Sequence, residues 1–379
     1  MACPDNLTRS DAFLVLNGLA NVGPVMLRRL LDRFSGDPIA ILSASSSDLK
    51  SVKGVGEKAS TAIRGWDSSW LDNELGRLAE RSGCFLTCED PSFPPALLET
   101  FDPPIGLYCT GAPPHPDEPC VAIVGTRQAS LYGLRMAKTL AADLARMGFC
   151  IVSGMARGID AAAHEGALEA GGRTVAVFGC GPDVIYPPEH LDLYRRITAS
   201  GAVLTEFPFG RRADRQTFPM RNRVVAGMSV GAIVVESAAA GGSLITARFA
   251  AEQGRQVFAL PGRVDQATSE GCHKLIREGA TLIRNAADVA EELAPSLGLA
   301  LPSSSREEAL SASAAAPSPQ NLTPTEQALH AVLADGSILN PDALAERTKL
   351  PAQEVMATLT MLEIKRLVSR RPDGAFETR

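Results

Sequence analysis

Much that would classify this 379-residue chain quickly is missing from it. No apolar run is long enough to cross a bilayer, so no membrane partner is expected. The N-terminal Met1-Ala2-Cys3-Pro4-Asp5-Asn6 lacks the basic-then-apolar order of a signal peptide, and the expected location is cytoplasmic. The eight cysteines are scattered. Only Cys84 and Cys88 fall close together, and no second pair or nearby histidine completes a zinc set. Reduced, buried thiols are expected, with no metal and no cofactor. The net charge of −6 leaves no overall basicity to announce a nucleic-acid partner, so any anion site has to be local. Neither Gly-x-Gly-x-x-Gly nor Gly-x-x-x-x-Gly-Lys-Ser/Thr occurs, which removes the dinucleotide and P-loop readings at the motif level.

What is present is a repeated passage from a short apolar run into a small, flexible turn. Val121–Val124 runs into Gly125-Thr126-Arg127, and Ile151–Ser153 into Gly154 through Asp160. Val175–Phe178 leads to Gly179-Cys180-Gly181, Ala232–Val235 leads toward Gly241-Gly242-Ser243, and Val257–Leu260 ends at Pro261-Gly262. Short apolar runs bounded by glycine and separated by helical stretches describe buried parallel strands. Ligands of such sheets lie beyond the carboxyl ends of the strands, where these glycines and arginines gather. Free backbone N–H groups and guanidinium groups there suit phosphates.

The chain divides by composition. Residues 1–70 read as a helical module with two helical hairpins. The second, Leu49 to Ile63 around Gly54-Val55-Gly56, resembles a helix-hairpin-helix element, and the first has Val22-Gly23-Pro24 in its turn. Residues 71–298 hold a helix from Trp70 to Ser82, edge strands that include Cys84–Cys88, and the α/β core. Residues 299–321, rich in serine, alanine and proline, read as a linker. Residues 322–379 begin with Thr323 as N-cap, Pro324 at the first helical position and Glu326 completing a capping box. Three helices and a hairpin turning at Asp373-Gly374 suggest a winged helix. The third helix, from Pro351, carries no lysine or arginine before Lys365, so protein contact outranks base reading there.

Arg211 to Arg223 is the strongest local anomaly, with five arginines, one aspartate and Phe218 in thirteen residues. Arginine forks clamp phosphates and an aromatic face stacks a base. The bland alternative, a solvated charged loop, leaves Phe218 unexplained, although part of Arg221, Asn222 and Arg223 could tie the loop to the strand ends. Asp160 and His164, one helical turn apart, could form an acid/base couple, but no serine or cysteine is placed as a nucleophile and no catalytic residue is assigned.

Taken together these residues resemble the DNA-processing protein A family, also called DprA or Smf. The resemblance runs through Gly125-Thr126-Arg127, Ser153 to His164, Gly179 to Pro187, Phe218 to Arg223, Gly241 to Ala247 and Leu260 to Arg263, in order. It implies an α/β fold with an extended Rossmann-like, mostly parallel sheet. This sheet would be flanked by the N-terminal helical (helix-hairpin-helix or SAM-like) module and a C-terminal winged-helix-like domain. It also implies binding of single-stranded DNA without sequence preference, a homodimer, and loading of RecA recombinase in natural transformation, with single-strand binding protein as a further partner. By motif, Gly125, Thr126 and Arg127 would hold a phosphate, and Arg215, Phe218 and Arg221 would lie beside the strand. Gly154, Arg157, Asn222, Arg223, Gly242, Ser243 and Thr246 complete the candidate set. Gly241 stands where the family usually has serine, and His273 where it has asparagine.

The rival reading is an enzyme of the phosphoribohydrolase kind. Those proteins use a Pro-Gly-Gly-x-Gly-Thr segment followed by a catalytic glutamate. Here Ala240 to Thr246 lacks the proline, and the next glutamate is Glu252.

Overall fold

The computed structural model describes residues 7–298, 322–333, 339–365, 367–370 and 374–378. The expected linker at 299–321, the late basic residues Arg366 and Arg371, and the turn residue Asp373 lie outside the described residues. Two compact units result, divided at Ala300.

The first unit opens with six helices: α1 (Arg9–Gly18), α2 (Pro24–Arg33), α3 (Pro38–Ser43), α4 (Ser46–Lys50), α5 (Glu57–Arg64) and α6 (Ser68–Glu80). Short side chains start them. Thr8 and Asp11 form a reciprocal capping box on α1, while Asp37, Ser45 and Asp67 accept the first N–H groups of α3, α4 and α6. Their inward faces build one apolar core from residues such as Phe13, Leu30, Ile41, Leu49 and Ile63. That core continues onto the sheet through Tyr108 and Phe209, so the module shares its interior with the α/β part.

The sheet has nine strands in the order β1-β2-β6-β5-β4-β3-β7-β8-β9. They are β1 (Gly83–Thr87), β2 (Gly106–Gly111), β3 (Cys120–Val124), β4 (Cys150–Ser153), β5 (Thr174–Val177), β6 (Ala202–Thr205), β7 (Gly231–Val234), β8 (Gln256–Ala259) and β9 (Thr281–Leu282). From β6 to β9 every pairing is parallel; β1 and β2 add an antiparallel edge. The parallel strands are short and apolar because both faces are covered. Alternate residues feed opposite cores. Ala122, Val124, Val152, Val175 and Leu204 face one layer with Val224 and Ala250. Val121, Ile123, Ile151 and Ile233 face another with Leu140, Leu144, Val289 and Leu293. Each such Val, Leu or Ile contributes about 1.5–3 kcal/mol by burial.

The helices between strands are α7 (Pro95–Leu98), α8 (Leu131–Arg146), α9 (Ile159–Glu169), α10 (Leu191–Ser200), α11 (Thr217–Gly227), α12 (Ser243–Glu252), α13 (Glu270–Arg277) and α14 (Ala286–Leu297). Ser130 caps α8, and Gly148, at φ +91°, supplies the left-handed residue that turns the chain into β4. The chain runs β3, β4, β5, β6 toward one edge, then α11 carries it back so that β7 pairs with β3 on the other side. This reversal beside β3 is the topological switch point, where a crevice opens.

The second unit contains helices Pro324–Leu333, Pro341–Thr348 and Ala352–Ile364 and the strand pair Val368–Arg370 with Phe376–Thr378. Leu329, Leu333, Leu344, Val355, Leu359, Leu362, Val368 and Phe376 form its own core. The expected capping box is present, with Thr323 N–H donating to Glu326 at 2.8 Å and Glu326 N–H to Thr323 Oγ1 at 3.3 Å. Lys365 Nζ also reaches the Glu326 carboxylate, at 2.7 and 2.8 Å. The third helix exposes Met356, Met361 and Ile364, an apolar rather than basic surface.

Candidate nucleic-acid interface

At the switch point the turns after β3, β4 and β7 meet the first turns of α11 and α12 around a cavity of about 530 Å³. Of the candidate residues, all but Arg157 and Arg223 line it. Its charged lining is Arg127, Arg215 and Arg221 against Asp160 alone, so an acidic chain presents a locally cationic cleft. A larger cavity of about 830 Å³, between α12, β8 and α13, shares Gly241 and Ile245 with it but includes none of the candidate residues.

The floor is already occupied. Asp160, second residue of α9, accepts the N–H of Gly154 at 3.2 Å and of Ala156 at 3.4 Å, with Gly125 N–H as a third donor. Thr126 N–H donates to Glu236 O at 2.8 Å. The N–H groups of Gly125, Thr126, Gly154 and Ala156, expected among the donors to a phosphate, are therefore engaged within the chain. Burial raises the pKa of Asp160, opposed by the charge of Arg221 and by these N–H groups. Gly154 is required by packing, because a Cβ there would overlap the Arg221 guanidinium. Gly125 is held likewise, with Ile159 Cγ1 2.5 Å from its ideal Cβ.

The expectation of one charged loop from Arg211 to Arg223 needs correction, because residues from Thr217 onward are helical. Asp214 starts α11 by accepting the N–H groups of Gln216 and Thr217 at 2.8 and 2.9 Å, and those bonds hold its carboxyl below the usual range. Helical spacing then separates the arginines. Arg221 turns inward, buried, and donates to Val177 O at 2.8 Å. Burial lowers its pKa while Asp160 raises it. Arg223 points away from the cleft. It is also buried and is clamped by Glu206 and by Asp102, whose carbonyl accepts at 2.6 Å. Asn222 bridges inward, accepting from Arg221 Nε at 3.1 Å and donating to Gly242 O at 3.4 Å. Ser243 and Thr246, at the start of α12, are buried, and Ser243 Oγ donates to Ser237 Oγ at 2.8 Å. At the departure Gly241, Ser237 Oγ takes the space that a Cβ would need. The other departure, His273, places Nε2 2.9 Å from Gly262 O.

The rim is where donors remain. Arg127 is exposed, its guanidinium 4.8 Å from the centroid of the half-buried Phe218 ring, and no carboxylate pairs with it among the described residues. Arg215 is exposed and likewise lacks an acidic partner there. Tyr186, 36% exposed, sets its ring 5.8 Å from Phe218 at 46°. Sequence reasoning misses Tyr186; its signal is an aromatic beside Pro187 in the turn after β5. Arg157 lies outside the cavity and pairs with Glu189 at 2.5 Å.

The acid/base couple does not form. His164 is buried, with Nδ1 2.6 Å from Thr174 Oγ1, and burial lowers its pKa to about 3. Glu252 pairs with Arg248 and does not line the cleft. The described residues contain no group of three or more His, Cys, Asp or Glu able to hold a metal, and no helix among them is long and apolar enough to cross a membrane.

A mostly parallel sheet with an arginine- and aromatic-rimmed cleft at its switch point defines the class of fold, a Rossmann-like α/β domain. Comparison with known proteins is more specific. Residues 84–294 match the family described as DNA recombination-mediator protein A, and residues 313–374 match the DprA winged helix domain. The chain belongs to the DNA recombination-mediator protein A family. Protein Smf of Escherichia coli is 36% identical over 310 residues, which is 82% of this chain and 81% of that protein. Protein Smf of a Synechocystis strain is 38% identical over 283 residues, 72% of this chain and 69% of that one. The structure of DNA processing protein A from Streptococcus pneumoniae aligns with TM-score 0.65 at 33% identity, covering 75% of this chain and 98% of that one. That of the Helicobacter pylori protein, solved to describe its single-stranded DNA binding mode, aligns with TM-score 0.50 at 32% identity, over 56% and 96%.

Proposed function

We propose that this protein binds single-stranded DNA without sequence preference and helps load RecA recombinase onto it in transformation and recombination. The observation that carries the reading is the rim cluster of Arg127, Phe218 and Tyr186, with Arg215 beside it. Unpaired cations meet phosphates, and two neighbouring rings offer faces to bases of any identity. Arg127, Arg215, Phe218 and Tyr186 do the binding. Gly125, Gly154, Arg221 and Asn222 shape the site, Thr126, Gly242, Ser243 and Thr246 form its wall, and Arg223 and Arg157 are left out of contact. The family membership, and a Helicobacter pylori relative whose structure describes a single-stranded DNA binding mode, support this reading.

In the same reading the protein is not an enzyme. The one carboxylate lining the cleft is engaged with backbone N–H groups and faces Arg221, which leaves no base for a phosphoribohydrolase reaction. A homodimer, a cytoplasmic location and contacts with RecA and single-strand binding protein belong to the proposal through the family resemblance. The test is a fluorescence titration of labelled single strands, duplex and nucleoside monophosphates. Single strands should bind best, with a log–log salt slope of roughly −0.7 per phosphate neutralised. A flat salt response or a preference for duplex would sink the reading, and strand-exchange assays with RecA test its second half.

A further inference from the structure

A second set of arginines stands outside the cleft and leads to it. Arg77 on α6 and Arg81, which caps its C-terminus, lie one turn apart over Phe209, their guanidinium carbons 4.5 and 5.7 Å from its ring centroid. Phe209 is 8% exposed, so the ring is a support for these side chains rather than a platform of its own. Asp183 pins helix and loop together, accepting Arg77 Nη2 at 2.6 Å and Gly210 N–H at 2.8 Å. The loop then runs through Arg211 and Arg212 to Arg215 at the cleft mouth, and Ala213 lines the hollow beneath Phe218 and Tyr186.

The charge along this course is only partly compensated. Asp183 takes Arg77, and Asp214 takes Arg211 at 2.6 Å. Arg81, Arg212 and Arg215 are exposed and lie outside every ion pair among the described residues; Glu80, beside Arg81 in sequence, also forms none. Stacking over Phe209 holds Arg77 and Arg81 in place, which lowers the entropy lost when a phosphate arrives. Cations carried on one loop from the cleft mouth, and on a helix end that Asp183 joins to that loop, suit a flexible polyanion extended along them.

We infer that a single strand leaving the cleft past Arg215 continues over Arg212 to Arg81 and Arg77, so that α6 carries the outer part of the DNA track. This rests on the single-strand reading of the cleft. It assigns the outer contact to the end of α6.

The experiment titrates the full chain with thymidine oligonucleotides of about 6 and about 20 nucleotides, one within and one beyond the usual site sizes of about 4–16 nucleotides. The double substitution Arg81→Gln with Arg212→Gln should leave the short oligonucleotide unaffected and weaken the long one about tenfold. The salt slope for the long one should fall by about 1.4, or roughly 0.7 for each phosphate that is no longer neutralised. Because Arg81 packs on Phe209, Arg212→Glu, on an exposed loop position, serves as a second variant and should also weaken the long oligonucleotide alone. Unchanged affinity and slope for the long oligonucleotide in both variants would overturn the track. So would a wild-type protein that binds the short oligonucleotide and gains nothing from added length, with the cleft reading left intact. A wild type that binds neither overturns the cleft reading and the track together.

Discussion

Arg221 and Arg223 stand two residues apart on α11, within sight of Arg127 and Arg215 in composition, yet the two pairs do opposite work. The helical pair is buried and committed: Arg221 to Val177 O and Asp160, Arg223 to Glu206 and Asp102. The rim pair is exposed and uncommitted. The arginines around the cleft therefore divide into guanidinium groups committed to the fold and others left exposed at the rim. Burial and the presence of partners separate them, and the residue type does not.

The contrast breaks most visibly at Arg223. Replacing it with alanine leaves Glu206 buried without its cation and should cost about 3–5 kcal/mol in stability. Urea denaturation measures this, and a loss under about 1 kcal/mol would place Arg223 among the rim group after all. Arg127→Ala should do the reverse. Binding to every sequence should weaken alike, by about 1.5–3 kcal/mol for the removal of one charged hydrogen bond, with the melting temperature retained. A change of sequence preference at constant affinity would contradict the phosphate role. Phe218→Ala is expected to weaken binding by about 1–3 kcal/mol while circular dichroism stays near wild type. Unfolding would instead show the ring to be core. The smallest effect is expected at the far end of the chain. A protein ending at Ala300 should lose less than about tenfold in single-strand affinity, about 1.4 kcal/mol, because the third helix of the tail offers no cation. A hundredfold loss would make the tail a DNA-binding domain.

The glycine-bounded apolar runs announce β3, β4, β5, β7 and β8, since a strand covered on both faces has to be apolar throughout. β6 is not among those runs, and its place between β2 and β5 depends on pairings far apart in sequence. The candidate site was legible as a set of turns because catalytic and binding loops follow strand ends. Which donors in those turns are free was not. That Asp160 would fold back onto Gly154 and Ala156, or that one turn of helix would bury Arg221, follows from three-dimensional packing. Tyr186 escaped because its partner Phe218 lies 32 residues away and comes near only through α11.

The carboxylate of Asp160 gives the cleft a built-in occupant. A free mononucleotide or inorganic phosphate, which can bring only one or two anionic groups, meets a floor where Asp160 already takes the N–H groups of Gly125, Gly154 and Ala156 and faces Arg221. On the proposed single-strand reading, a polymer would not need the floor, because it would add up shallow contacts along the rim. The cleft would then discriminate by valency: inorganic phosphate and mononucleotides should compete poorly in the fluorescence titration, and a long strand should outbind a short one.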